Sequence, residues 1–175
     1  MTLKGILTAA DNSRLTNNQV FSYEANKLTK GWRVKEFYFW PAQTRASTGS
    51  TEGQLQLTAT LATDTIANAL MGFEEIGSVR DNRTIGWMQV GYNLRDSSIS
   101  DFITKPTGLY YDNKAIIDPD HIVNDALFIN FFTTSDSSTS PERIYNYMIV
   151  LEELKLDPAE AILSLVKGKA QDMTN

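Results

Sequence analysis

Cysteine is absent from the 175-residue chain, and histidine occurs once. The first absence removes disulfides, thiolate zinc sites, iron–sulfur clusters and cysteine nucleophiles together. It fits synthesis in a reducing cytosol. The second leaves His121 as the single imidazole on which any Ser–His machinery would depend. A histidine-built metal centre, which needs two or three such ligands, is excluded. Long apolar runs are missing as well. The opening segment Met1 to Ala10 has one lysine and an apolar patch too short for a secretory signal. No stretch reaches membrane-spanning length. Positive charge is scarce: 16 Lys and Arg against 21 Asp and Glu give a net charge of −5. That balance argues against wrapping nucleic acid. The basic residues Lys4, Arg14, Lys27, Lys30, Arg33, Lys35 and Arg45 gather early, and the second half is acidic. Contact between copies could use the asymmetry, although an ordinary screened surface accounts for it.

Catalytic signatures are equally sparse. No Gly-x-Ser-x-Gly motif supplies an activated serine. Gly49 to Gly53 lacks the Gly-Lys-Ser/Thr ending of a phosphate-binding loop. Glu74-Glu75 and Glu152-Glu153 are adjacent carboxylates, and on a strand neighbours point to opposite faces, so neither pair makes a glycosidase-like site. Asp112, Asn113, Asp118 and Asp120 form the densest oxygen cluster, but their spacing does not match an EF-hand loop and turn formation explains them. No metal, cofactor or enzymatic activity is expected.

What is present is strand pattern. Gln54 to Thr63 alternates cleanly, with Leu55, Leu57, Ala59 and Leu61 on one side and Gln54, Gln56, Thr58 and Thr60 on the other. Arg83 to Tyr92 reads as a strand, paired in a hairpin with Glu74 to Arg80 across an Asp81-Asn82 turn. Lys114 to Ile117, His121 to Thr134 and Arg143 to Leu154 supply further strands. Helix signals cluster at one place. Asp157 suits an N-cap, Pro158 the first helical position and Glu160 a capping box, with Gly168 as the expected stop. The pattern predicts an all-β, antiparallel two-sheet sandwich, a jelly roll of about eight strands, with one short C-terminal helix. The expected organisation is an Asn/Thr-rich arm over 1–18, the sandwich over 19–156, and the helix and tail over 157–175.

Two segments, Phe37 to Trp40 and Leu127 to Phe132, are apolar at successive positions. One buried face needs only every second residue, so a second covered face is expected, supplied by further copies of the chain. Trp32, Phe37, Phe39 and Trp40 are the predicted contact residues on the sandwich, with Ile162, Leu165 and Val166 on the helix.

The order of about eight strands, the polar loops and the long Arg143 to Leu154 strand leading to a terminal element resemble single jelly-roll capsid subunits of viruses. The resemblance is architectural and spans residues 20 to 155. It implies a self-assembling coat subunit of a small icosahedral virus or phage, partnered by other copies of itself and other virion proteins. It implies a virion location after assembly in the host cytoplasm, without a signal peptide. One departure stands out: the N-terminus lacks the dense Arg/Lys arm with which many small RNA-virus coats neutralise a genome. The alternative is a carbohydrate- or receptor-binding sandwich, such as a phage decoration or attachment protein, with exposed Trp or Tyr on a concave face.

Overall fold

Alternating apolar and polar residues organise nearly all of the described chain into strands. A computed structural model describes residues 1–23, 30–42, 54–66, 81–93, 106–107, 115–135 and 141–169. The strands are β1 (Thr2–Ala10), β2 (Arg14–Ser22), β3 (Lys30–Pro41), β4 (Gln54–Ala62), β5 (Thr84–Asn93), β6 (Pro106–Thr107), β7 (Ile116–Ile117), β8 (Ala126–Ser135) and β9 (Glu142–Lys155), followed by helix α1 (Pro158–Lys169). One sheet has the order β1-β9-β3; the other has β2-β8-β4-β5-β6, with β7 also on β5. All named pairings are antiparallel.

The pairs are nested. β4 meets β5, β2 meets β8 and β1 meets β9. Between them, the Ala115 N–H at the start of β7 donates to the Phe37 carbonyl of β3 at 3.1 Å. Rolling such a nested ribbon places alternate strands in opposite sheets, which is the winding of a jelly roll. The core lies between the sheets, where Phe39, Phe131 and Tyr145 pack ring to ring, Phe39 and Tyr145 stacked at 5.7 Å. Leu55, Leu57, Leu61, Leu127, Ile129 and Ile149 fill the space around them.

Strand β3 changes parity midway. Val34 faces β9 at Leu151, but Glu36 faces the very next residue, Val150, so Lys35 is an extra residue. Before this bulge the even-numbered Val34 is buried; after it, the odd-numbered Phe37 and Phe39 are. A single inserted residue reverses which side chains face inward.

The expected arm over 1–18 is instead β1 and most of β2. Leu3, Leu7 and Ala9 line the inner face of β1. Gly5 interrupts that row because the Tyr147 ring of β9 lies across it, closer to a Cβ there than atoms can approach. The Asn residues turn and bulge the chain: Asn12 (φ 58°) sits in the β1–β2 turn and Asn17 (φ 57°) at a register shift in β2, and Asn tolerates this left-handed conformation better than most residues.

The helix begins as its chemistry predicts. The Glu160 N–H donates to Asp157 Oδ1 at 2.8 Å and the Asp157 N–H to Glu160 Oε2 at 3.3 Å. It then runs through Gly168 to Lys169 rather than stopping at the glycine. Glycine costs about 1 kcal/mol in a helix, which one last turn tolerates. The Gly49 to Gly53 segment, the expected strand over 74–80 and the tail beyond Lys169 lie outside the described residues. Of the expected turn, Asp112 and Asn113 do too.

Candidate interaction surfaces

The polar residues with the densest bonding sit at the sandwich end formed by the β1–β2 turn. Asp11 and Arg143 are both buried, and Arg143 Nε lies 2.8 Å from each Asp11 carboxylate oxygen. Ser135 Oγ donates to Asp11 Oδ2, and Thr134 Oγ1 and the Ser135 N–H donate to Asn12 Oδ1. Beside them burial pushes the Tyr145 phenol up to about 12; nearby Thr133 pulls partly back, Asp11 adds to the rise and Arg143 opposes it. Its hydroxyl makes no sound hydrogen bond among the described residues. The carboxylate is spoken for by Arg143 and Ser135. This arrangement fastens β1 and β2 to β8 and β9.

The other candidate chemical residues are dispersed. His121 is buried just beyond a turn in which the Asp120 N–H donates to Asp118 Oδ1. Glu152 and Glu153 are exposed and paired with Lys35 and Lys30 across the sheet. Lys30 holds Glu153 below the usual carboxylate range by hydrogen bonding and charge, and Glu153 raises Lys30 in return. Among the described residues no three His, Cys, Asp or Glu gather as metal ligands, and no helix is long and apolar enough to cross a membrane.

The remaining distinctive features are outward-facing apolar groups. On α1, Ala161 is buried and Ser164 accepts a hydrogen bond from Asn124, so this side faces the body. Ile162, Leu163 and Val166 are left 56, 67 and 57 % exposed. Residues i, i+1 and i+4 share one side of a helix, so the three make one strip. On the outer face of β1-β9-β3, the register sets Lys4, Met148 and Tyr38 in one row and Ile6, Asn146 and Trp40 in the next. There Ile6 is 62 % and Ile144 43 % exposed, and Tyr38 donates to Glu36 at 2.9 Å.

The predicted contact residues divide accordingly. Phe37 and Phe39 have no exposed surface and are enclosed by their own sandwich, so they cannot touch another copy. Trp32 and Trp40 are half-buried against the same core, Trp32 edge-on to Phe21 and Tyr23. The Leu127 to Phe132 run is likewise served within the chain: Leu127, Ile129 and Phe131 face the core, and Phe128 and Phe132 are half-covered on the other face. Ile162 and Val166 are exposed, while the Leu165 side chain lies outside the described part of the structure. Sequence reading missed Ile6 and Ile144. The available signal was an isoleucine out of phase with Leu3, Leu7 and Ala9 in β1.

No family model, curated protein or solved structure matches the chain.

Proposed function

We propose that this chain is a structural subunit that associates with further copies of itself into a closed assembly, as the coat of a small icosahedral virus or phage, without chemistry of its own. The observation that carries this reading is the apolar strip Ile162, Leu163 and Val166, held outward by a capped helix on a jelly-roll body. Fully burying one such side chain contributes roughly 1.5–3 kcal/mol. Three of them offset only part of the rotational and translational cost of pairing two molecules, which is about 4–15 kcal/mol. A single such contact is therefore weak. Repeated around a closed symmetric assembly, it becomes sufficient. Such a particle brings other virion proteins as further partners and places the chain in the virion after assembly in the host cytoplasm.

Electron microscopy of the purified chain, with circular dichroism as a fold control, tests the reading. Wild type is expected to form particles or defined oligomers. Leu163→Glu with Val166→Glu is expected to abolish particles and every oligomer larger than a dimer, and to keep the β-rich spectrum. A monomer that binds glycans on an array would instead favour the attachment-module reading.

A further inference from the structure

The free edge of β1 carries a second contact, one that fits another copy of β1. The Met1 amino group donates to the Leu151 carbonyl at 2.6 Å and the Leu151 N–H donates to the Met1 carbonyl at 2.7 Å. This mutual pair sets the alternation along an antiparallel ladder. Leu3, Gly5, Leu7 and Ala9 therefore turn their backbone groups to β9, while Thr2, Lys4, Ile6 and Thr8 turn theirs outward. β1 ends the order of its sheet. Among the described residues no hydrogen bond reaches these four outward N–H groups or their carbonyls. The next position, Ala10, has its carbonyl engaged by the hydroxyls of Ser13 and Thr133. An unpaired, straight edge of this kind is a template for another strand.

We infer that two copies pair β1 with β1 in antiparallel fashion about a two-fold axis at Gly5, joining their three-stranded sheets into one continuous sheet. This rests on the self-association proposed above and supplies one of its contacts. The register follows from which groups are free. With Gly5 on the axis, Thr2 faces Thr8 of the other copy and Lys4 faces Ile6, so all four open positions on each strand are used. A shift by one step toward the N-terminus sets Lys4 against Lys4, and like charges directly opposite are destabilising. A shift the other way sets Ile6 against Ile6 and leaves Thr2 facing Ala10, whose carbonyl is taken. In the Gly5 register the aliphatic stem of Lys4 covers the exposed Ile6 of the other copy. The two glycines meet without side chains at the axis. Charged residues and proline are what protect such edges elsewhere; β1 has one lysine and no proline.

The test combines amide hydrogen exchange with light scattering over a concentration series. The Lys4, Ile6 and Thr8 amides are expected to be protected in concentrated samples and to exchange freely on dilution, while Leu3 and Leu7 stay protected throughout. Ile6→Pro removes an outward N–H that β9 does not use, and is expected to weaken pairing at least about tenfold through two lost hydrogen bonds per dimer. Ile6→Lys places lysine against Lys4 of the other copy and is expected to weaken pairing without touching the backbone. Lys4→Glu combined with Ile6→Lys restores it in the Gly5 register only. Fast exchange of these amides in a chain that still associates overturns this inference and spares the self-association reading. Failure of the double variant to recover overturns the register. A monomer at every concentration overturns both.

Discussion

At the scale of single residues, the structure separates groups that hold the sandwich together from groups that face outward. The Asp11–Arg143 pair belongs to the first kind. Removing the arginine alone strands a buried carboxylate whose remaining described partner is Ser135. Arg143→Met is therefore expected to cost about 3–5 kcal/mol in urea unfolding, and Asp11→Asn with Arg143→Met together markedly less than that. The surface-side pair Asp81–Arg83 makes a pH prediction. Burial alone would raise Asp81, but hydrogen bonds and charge from Arg83 outweigh it and hold the carboxyl below 3.8. A carboxyl depressed by folding stabilises the protein above its unfolded value, and that contribution disappears as pH falls through the lower folded value. Asp81→Asn is thus expected to be less stable than wild type near neutrality, the gap closing below about pH 4. Thermal unfolding of both proteins across this range measures it.

At the scale of elements, β3 is the instructive case. Lys35 is solvent-exposed and paired with Glu152 at 3.5 Å, so Lys35→Ala is expected to change stability by no more than about 0.5 kcal/mol. Deleting Lys35 removes the extra residue and leaves Val34 opposite Leu151, Glu36 opposite Val150 and Phe37 opposite Ile149, so the inward row of Val34, Phe37 and Phe39 is kept in a regular ladder. The deletion is expected to remain soluble with wild-type circular dichroism, and insoluble protein would contradict the bulge. The same element shows what sequence could reveal. β4 was legible because Leu55, Leu57, Ala59 and Leu61 keep one phase from end to end. In β3 the phase changes at Lys35, and beyond it Tyr38 and Trp40 set half-buried aromatic rings on the face opposite Phe37 and Phe39, so the segment looks greasy on both faces. β1 was hidden for a different reason. Gly5 breaks its inner row, its place taken by the Tyr147 ring 142 positions away in sequence, and Ile6 puts an apolar residue outside. Such long-range substitutions leave no local trace. The helix start, by contrast, is written within four residues, in Asp157, Pro158 and Glu160, and the capping bonds between Asp157 and Glu160 form as read.

At the scale of the whole molecule, the residues available for association are not the fully buried aromatic ones. In the two apolar runs that suggested it, Phe37, Phe39, Leu127, Ile129 and Phe131 are enclosed by their own chain, and Tyr38, Trp40, Phe128 and Phe132 are half-covered. Among the described residues, exposed apolar surface remains on the α1 strip and along β1 and β9 at Ile6 and Ile144, beside the open β1 edge. The two lie on different elements, and closed assemblies need more than one contact per subunit to extend beyond a pair. An α1 variant is therefore expected to stop at the dimer held by β1, and a β1-edge variant at whatever the helix alone can hold. The net charge of −5 adds mutual repulsion that salt screens, so association is expected to strengthen from low to physiological ionic strength. Sedimentation velocity of the purified chain over a wide concentration range, at low and at physiological salt, tests the central claim most directly. The account predicts species heavier than one 19.6 kDa chain that grow with concentration and with salt; a single monomer peak under every condition contradicts it.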